Sequence, residues 1–279
     1  MKSLRIAVLV KQVPKFEEMQ LGADGRLRRE GVELSLNPYC QRAVSKGVEL
    51  ARESGGVCTV LSLGPPVAED VIRWGIAWGA DNGILISDPV FAGSDTLATA
   101  RALAAALTKE GPFDVILVGK NSVDADTGQV GPEVAQILGY PFACAVRTLE
   151  IRERSLKLGC EHDDSWVDVE VALPVVLSTA ERLCDPAKVS PEARAAVDGS
   201  KVRYLRADDL DAMGMESWGE AGSPTWVGET KTLGVERTNM MLEGELRNQA
   251  AEAVSLIDLR GALRRSGNSN ESNVVHGAI

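Results

Sequence analysis

The chain has 279 residues, of which 44% are hydrophobic and 4% are aromatic, so aliphatic side chains and alanine must fill its core. The formal net charge of −10 repels the phosphate backbone of nucleic acids and excludes them as expected partners. A bound phosphate group therefore has to be held by local main-chain N–H groups and helix N-termini, against the overall field.

The first 140 residues alternate between apolar, β-branched runs and segments with helical periodicity. The apolar runs predict strands at residues 4–10, 57–63, 83–86 and 114–118. Helices are predicted to begin at Asn37-Pro38, at Pro65-Pro66, at Ser94 or Asp95, and at Gln129. The alternation is typical of an α/β protein with a doubly wound parallel sheet, which binds ligands at the carboxyl ends of its strands.

The pattern changes after Pro141. Segments that alternate apolar and polar residues predict antiparallel strands at residues 146–152, 155–160 and 166–173. Residues 175–178 are apolar again and are expected to return to the parallel part of the sheet. Beyond Asp185 the periodicity is weak. Residues 193–197 are typical of a short helix or a loop, residues 207–213 of one or two helical turns, and residues 249–263 of a terminal helix.

We predict an α/β domain at residues 1–222 and a C-terminal arm at residues 223–279, with the last residues frayed. Four apolar residues of the arm lack an obvious local core: Trp226, Val227, Leu233 and Val235. An arm of this kind favours packing on a partner subunit.

The cysteines and histidines indicate neither metal nor thiol chemistry. Five cysteines are spread along the chain without a CxxC pair, which predicts buried free thiols in a reducing compartment. No metal site is expected, since there are only two histidines. The first apolar run ends at Lys11 and is too short for a signal peptide or a membrane span. We therefore expect a cytoplasmic protein without a membrane span.

The strongest local signal is the loop between the strand that ends at Val118 and the helix that begins near Gln129. This geometry directs the main-chain N–H groups of residues 127–130 at a ligand above the strand ends, where a phosphate would also meet the positive end of the helix dipole. Gly128 and Gly131 would let the main chain approach that ligand closely. An ordinary connection, with Asp126 or Thr127 as the helix N-cap, fits the same spacing.

Other polar residues near the loop have more than one interpretation. Asp124 and Asp126 can bind ribose hydroxyls, accept from loop N–H groups or face water. Asn37 precedes a helix and is expected to act as its N-cap. Lys11 closes the first strand and is expected to be a solvated charge, although a lysine there can reach a ligand.

Several nucleotide and catalytic motifs are missing. Gly119-Lys120 resembles the end of a P-loop, but Asn121 stands where Ser or Thr is required. No GxGxxG motif follows the first strand, and no GxSxG motif occurs. No HxGH or SGGxDS stretch occurs either, which argues against an adenylyltransferase or an ATP pyrophosphatase.

Several motifs, in order along the chain, resemble the β subunits of electron transfer flavoproteins, the group that includes FixA. They are VLVKQVP at 8–14, LNPYC at 36–40, LSLGP at 61–65, WGIAWGAD at 74–81, VGKNSVDADTGQVGP at 118–132, LPVVLST at 173–179 and SPTWV at 223–227. The resemblance implies a Rossmann-like domain with a C-terminal arm. It also implies an electron carrier rather than an enzyme, which pairs with an α subunit that carries the electron-transferring FAD and serves dehydrogenase or ferredoxin-type partners.

The resemblance further implies an adenine nucleotide in this subunit, which is AMP in ordinary members and a second FAD in electron-bifurcating ones. The text DADTGQVGP is closer to the bifurcating pattern, although Ala125 and Gly128 depart from it. The implied nucleotide contacts are Leu9, Asn37, Leu63, Val118, Gly119, Lys120, Asn121, Val123, Asp124, Asp126, Thr127, Gly128, Gln129, Val130, Gly131 and Pro132.

The chain also departs from the family pattern. Cys160-Glu161 stand where Arg-Glu is usual, and the segment after Asp185-Pro186 lacks the leucine anchor with which relatives dock partner dehydrogenases. The physiological partner is therefore expected to differ.

The alternative function is a non-redox regulatory module that binds adenine nucleotides and forms a homodimer.

Overall fold

The computed structural model describes residues 3–15, 19–22, 28–210, 214–228 and 240–261. Its strands are β1 (Arg5–Leu9), β2 (Gln12–Pro14), β3 (Leu34–Leu36), β4 (Val57–Leu63), β5 (Asn82–Ile86), β6 (Val115–Gly119), β7 (Phe142–Ile151), β8 (Ser155–Glu161), β9 (Trp166–Ala172), β10 (Val175–Thr179) and β11 (Val202–Leu205). Its α-helices are α1 (Pro38–Ser54), α2 (Glu69–Trp78), α3 (Thr96–Glu110), α4 (Val130–Leu138), α5 (Pro191–Ala195) and α6 (Leu246–Leu259).

Nine of the strands form one sheet in the order β11-β5-β4-β1-β6-β10-β7-β8-β9. The pairs from β11 to β7 are parallel, and β8 and β9 are added antiparallel to them. This confirms the predicted α/β fold, a Rossmann-like, mostly parallel sheet with added antiparallel strands. The first segment predicted as antiparallel, β7, joins the two parts, because it is parallel to β10 and antiparallel to β8.

Helices cover both faces of the sheet, and the side chains of β1 show why. Ile6 and Val8 point into a core that also contains α1 and α2. Ala7 and Leu9, which alternate with them, point into a second core formed with α3 and α4. An inner parallel strand must be apolar on both faces, which explains the continuous apolar run at the start of the chain.

The chain reverses its direction of winding across the sheet between β1 and β6. From β1 it proceeds to β4 and β5 on one side, and β6 then pairs with the opposite edge of β1. In doubly wound sheets a crevice opens at such a point, outside the carboxyl ends of the two strands. The segments that follow β1 and β6 therefore border the expected ligand site.

Several local predictions need correction. The edge strand β11 and the short strands β2 and β3 were not predicted from the sequence, although the glycine-bearing stretch between β2 and β3, residues 15–33, is typical of a loop or a loose hairpin. The segment after Pro65 begins with a 3-10 turn, and α2 starts only at Glu69. Asp95, one of two predicted candidates, caps α3 by accepting from the Ala98 N–H at 2.9 Å. Although all five thiols are free, Cys144 is exposed rather than buried.

The chain divides into two compact units, Met1–Thr230 and Lys231–Ile279. In the first unit, Trp226 and Val227 are 86% and 66% exposed. Leu233 and Val235 lie outside the described residues, and the division at residues 222 and 223 remains a prediction. Helix α6 of the second unit has no buried residue within that unit's described part. No described helix has the length and apolar character that crossing a membrane requires.

Candidate functional site

The predicted nucleotide loop emerges at the reversal point of the sheet. Leu9 of β1 lies beside Val118 of β6, so the loop after Gly119 stands next to the end of β1. A Cβ atom at Gly119 would lie 2.9 Å from the main-chain carbonyl carbon of Tyr39, in the first turn of α1. Only glycine therefore lets the start of the loop pass this close to α1.

Asn37 ties the first half of the loop to the end of β1. Its side chain is buried, its Nδ2 donates to the main-chain oxygen of Asn121 at 2.8 Å, and its Oδ1 accepts from the Val123 N–H at 3.2 Å. Its own N–H donates to the main-chain oxygen of Lys11 at 2.9 Å. The expectation that Asn37 caps α1 is wrong: it holds the N-cap position, but its side chain makes no capping bond.

Asp124 forms a buried ion pair at the centre of the loop. Its side chain is 3% exposed and lies 2.9 Å from Lys11 Nζ and 3.0 Å from Arg29 Nη2. Burial alone would raise the pKa of Asp124, but the Lys11 charge and hydrogen bond, Ser122 and the Arg29 charge together lower it below its ordinary value. The sequence did not predict this ion pair. The expectation that Lys11 is a solvated charge is therefore corrected, because Lys11 pairs with Asp124.

The second half of the loop bends at two residues with left-handed backbone. Asp126 has a φ of 53°, and its carboxylate accepts from Asn121 Nδ2 at 2.6 Å. Gly128 has a φ of 63°, and a Cβ atom there would lie 2.8 Å from Asn121 Oδ1. A non-glycine residue with positive φ is uncommon and needs support from its surroundings, which Asn121 supplies to Asp126.

Helix α4 begins without a side-chain cap. Gln129 holds the N-cap position and its side chain makes no capping bond. Thr127, one of the two N-caps of the ordinary interpretation, accepts from the Gln129 N–H with its Oγ1 at 3.5 Å, just before the helix begins. The N–H groups of Val130 and Gly131 have no acceptor within the helix at this position. These donors follow directly on an exposed stretch, residues 125–129.

Three further predicted residues lie at the start of α4 and at the strand ends. A Cβ atom at Gly131 would lie 2.9 Å from Val118 Cγ2, so the absence of a side chain here lets α4 pack against β6. Pro132 has no N–H group to offer. Leu63 ends β4, one strand beyond β1, at the same carboxyl edge.

The structure brings most of the predicted contacts together at this edge, and it adds residues that sequence reasoning missed. Lys120, Thr127, Gly128 and Gln129 are exposed along the loop. Sequence reasoning missed Arg29, because residues 15–33 show no periodicity that would indicate which part of the fold they contact. Among the described residues, no three His, Cys, Asp or Glu side chains are grouped to hold a metal ion.

Residues 24–203 match the electron transfer flavoprotein domain. The chain belongs to the electron transfer flavoprotein family. It is 34% identical to the electron transfer flavoprotein subunit beta of Clostridium acetobutylicum over 253 residues, which covers 90% of this chain and 97% of that one. Its identity to the subunit of the same name from Thermoanaerobacterium thermosaccharolyticum is 35%, over 92% of this chain and 99% of that one.

Other flavoprotein relatives carry more specific names. The chain is 31% identical to subunit CarD of the caffeyl-CoA reductase-Etf complex of Acetobacterium woodii, over 89% of this chain and 95% of that one. It is 32% identical to FixA of Azorhizobium caulinodans, over 80% of this chain and 83% of that one. The chain is thus an electron transfer flavoprotein subunit of the β or FixA type.

The segment after Asp185-Pro186, which departs from the docking pattern of the family, packs on two helices of the domain. Ala187 is buried, and its N–H donates to the main-chain oxygen of Gln41 in α1 at 3.4 Å. Arg194 of α5 pairs with Asp70 of α2 at 2.8 Å. The residues after Pro186 therefore lie against α1 and α2.

Proposed function

We propose that this chain is the β subunit of a two-subunit electron transfer flavoprotein and holds an adenine nucleotide on the loop from Val118 to Pro132. The nucleotide would be AMP or the adenine part of a second FAD. The α subunit would carry the redox FAD, which supplies the electron-transfer chemistry. Electrons would pass between a dehydrogenase or ferredoxin-type partner and an acceptor.

The observation that carries this proposal is the uncapped start of α4 beside an ordered loop at the reversal point of the sheet. The N–H groups of Val130 and Gly131 can donate to a phosphate oxygen, with the helix dipole in the favourable direction. Asn37 and Asp124 hold the first half of the loop in place, so the exposed half is presented from a fixed base. These residues fit an anionic nucleotide.

The role of the chain in such a complex would be to bind and to shield rather than to react. Thr127, Gly128 and Gln129 line the exposed part of the loop and would contact the nucleotide. Leu9, Leu63 and Asn37 would border it from the strand ends. A bound nucleotide stabilises the fold by mass action, since it binds the folded state alone.

The test is to co-express the chain with its α-type partner, purify the complex, denature it and identify the released nucleotides by chromatography. One FAD with one AMP, or two FAD, for each pair of subunits supports the proposal. A complex without flavin absorbance, or without any adenine nucleotide beyond one FAD, contradicts it. Size-exclusion chromatography of the chain alone tests the alternative, which requires a homodimer that binds AMP without a partner.

A further inference from the structure

Two cations flank the loop at the reversal point of the sheet. Lys11 lies two residues beyond the end of β1, and Arg29 comes from the segment that precedes β3. Both reach Asp124, at 2.9 and 3.0 Å. The charge balance of this group is positive, because two cations share a single carboxylate, although the whole chain carries −10.

The carboxylate of Asp124 is buried, whereas the two cations are accessible to a ligand. The Asp124 side chain is 3% exposed, whereas those of Lys11 and Arg29 are 43% and 53% exposed. Among the described residues, Lys11 Nζ donates to Asp124 and Ser122, and Arg29 donates to Asp124 alone. A guanidinium has five N–H donors and an ammonium has three, so both side chains have donors beyond those that Asp124 uses.

The main chain fixes the carboxylate in place. Val123, the residue before Asp124, donates its N–H to Asn37 Oδ1, and Asn37 is buried and tied to Lys11 through its own N–H. These bonds tie the main chain next to Asp124 to the segment that follows β1. Long cationic side chains lose less conformational freedom on binding an anion when a partner already orients them.

We propose that Lys11 and Arg29 recognise the phosphate of the bound nucleotide, and that Asp124 is a positioning residue that aims these two cations at the crevice. The inference rests on the proposed function and deepens it. In this arrangement Asp124 does not itself contact the nucleotide. It holds Lys11 and Arg29, which do. It also supplies positive charge at a site where the overall field opposes an anion.

The experiment compares AMP with adenosine, which lacks the phosphate, by calorimetric titration of the purified two-subunit complex after its nucleotides are exchanged out. The variants are Lys11→Gln and Arg29→Gln. The matched controls are Lys15→Gln and Arg28→Gln, which remove the same kinds of charge nearby without touching Asp124. We expect each test variant to weaken AMP binding by about 3- to 10-fold, and adenosine binding by less than about 2-fold.

The salt dependence gives a second readout. The AMP affinity of the wild-type complex should fall as salt rises, and that of the variant with both substitutions should fall less. Lys11→Arg should retain most of the affinity because it keeps the charge. The Arg29→Gln variant keeps the test possible if Lys11→Gln does not fold. Arg29 is half-exposed, and Asp124 still pairs with Lys11 when Arg29 is replaced, so we expect this variant to remain folded.

Three outcomes overturn the inference: equal losses for AMP and adenosine, no loss for either, or an equal loss in the control variants. A different result marks failure of the proposed function itself. If the wild-type complex binds none of AMP, FAD and adenosine, the site is not an adenine-nucleotide site, and the role of the two cations falls with it.

Discussion

Asn37 and Asn121 lie 84 residues apart in the chain, yet Asn37 Nδ2 donates to the main-chain oxygen of Asn121 at 2.8 Å. This bond connects the entrance of α1 to the loop that follows β6. Since Asn37 also accepts from the Val123 N–H, one buried amide satisfies a donor and an acceptor of the loop main chain. The order of the candidate site thus depends on a side chain outside the loop.

Replacing Asn37 by alanine should therefore loosen the loop. The change leaves the Asn121 oxygen and the Val123 N–H without their partner, and we expect a loss of about 1–3 kcal/mol in the free energy of unfolding. AMP affinity of the complex should fall about tenfold or more, as judged by calorimetry, because binding must then order the loop. Asn82→Ala is the control: it removes a bond to Thr59 Oγ1 at the opposite edge of the sheet. Loss of AMP affinity in the control would contradict the assignment.

Gly128 and Gly139 offer a matched pair of glycine substitutions. Both have left-handed backbone, with φ of 63° and 68°, but a Cβ atom at Gly139 meets nothing within 4 Å, whereas one at Gly128 meets Asn121 Oδ1 at 2.8 Å. Alanine should cost about 1–2 kcal/mol at either position in urea unfolding. Only Gly128→Ala should also weaken AMP binding, because Asn121 must move away from Asp126. A similar loss of affinity at Gly139 would show that backbone strain alone is responsible.

Asp124 should make stability depend on pH in the acid range. Its folded-state pKa lies below the ordinary value of about 4, so its stabilising contribution is present above that value and is lost as the pH falls through the lower folded-state pKa. The difference in unfolding free energy between the wild type and Asp124→Asn should thus be largest above about pH 5 and shrink in acid. Chemical denaturation at a series of pH values measures it.

Asp70 is the control of opposite sign for this pH series. Burial raises the pKa of Asp70 despite the charges of Arg194 and Arg73. The charged form of Asp70 is therefore disfavoured in the folded state, and the wild type should gain stability relative to Asp70→Asn as the pH falls. If the two series ran in the same direction, the assigned surroundings of Asp124 would be wrong.

The thiols should differ sharply in reactivity. Cys144 is exposed, while Cys40, Cys58 and Cys160 are buried, and burial with the nearby charge of Asp81 raises the pKa of Cys58 to about 12. Iodoacetamide at mildly alkaline pH should therefore label Cys144 in the native chain and reach the buried thiols only after unfolding. Peptide mapping by mass spectrometry distinguishes them. Native labelling of Cys58 would contradict its burial.

Two truncations test where the α/β domain ends. The Asp95 N–H donates to Ser223 Oγ at 2.8 Å, and Asp95 Oδ2 accepts from Thr225 N and Oγ1 at 3.0 and 2.7 Å. A chain that stops at residue 222 loses these bonds, whereas one that stops at residue 230 keeps them. We expect the longer fragment to be more stable by about 1–3 kcal/mol in thermal unfolding. Equal stability of the fragments would support the predicted boundary after residue 222.

The sheet was predictable because each inner strand carries its own signal. A parallel strand buried on both faces must be a short apolar run, and β1, β4 and β6 are such runs. The edge strand β11 escaped prediction, since its burial pattern is mostly intermediate or exposed and its four residues carry no clear period. The bonds of the Asn37 side chain could not be predicted for another reason. An asparagine before a helix has the same sequence context whether its amide caps that helix or binds a distant loop.

The sequence by itself determined the order of the inner strands and of the longer helices, the glycine-bearing loop between Val118 and Pro132, and the family, because these are local patterns or motifs in a fixed order. Only the tertiary structure decided that Arg29 and Lys11 meet Asp124, the first of them across 95 residues of chain. Polar side chains on irregular segments have no period that predicts their partners. Their pairing is fixed by where parallel strands place the segments, and that is a property of the assembled sheet.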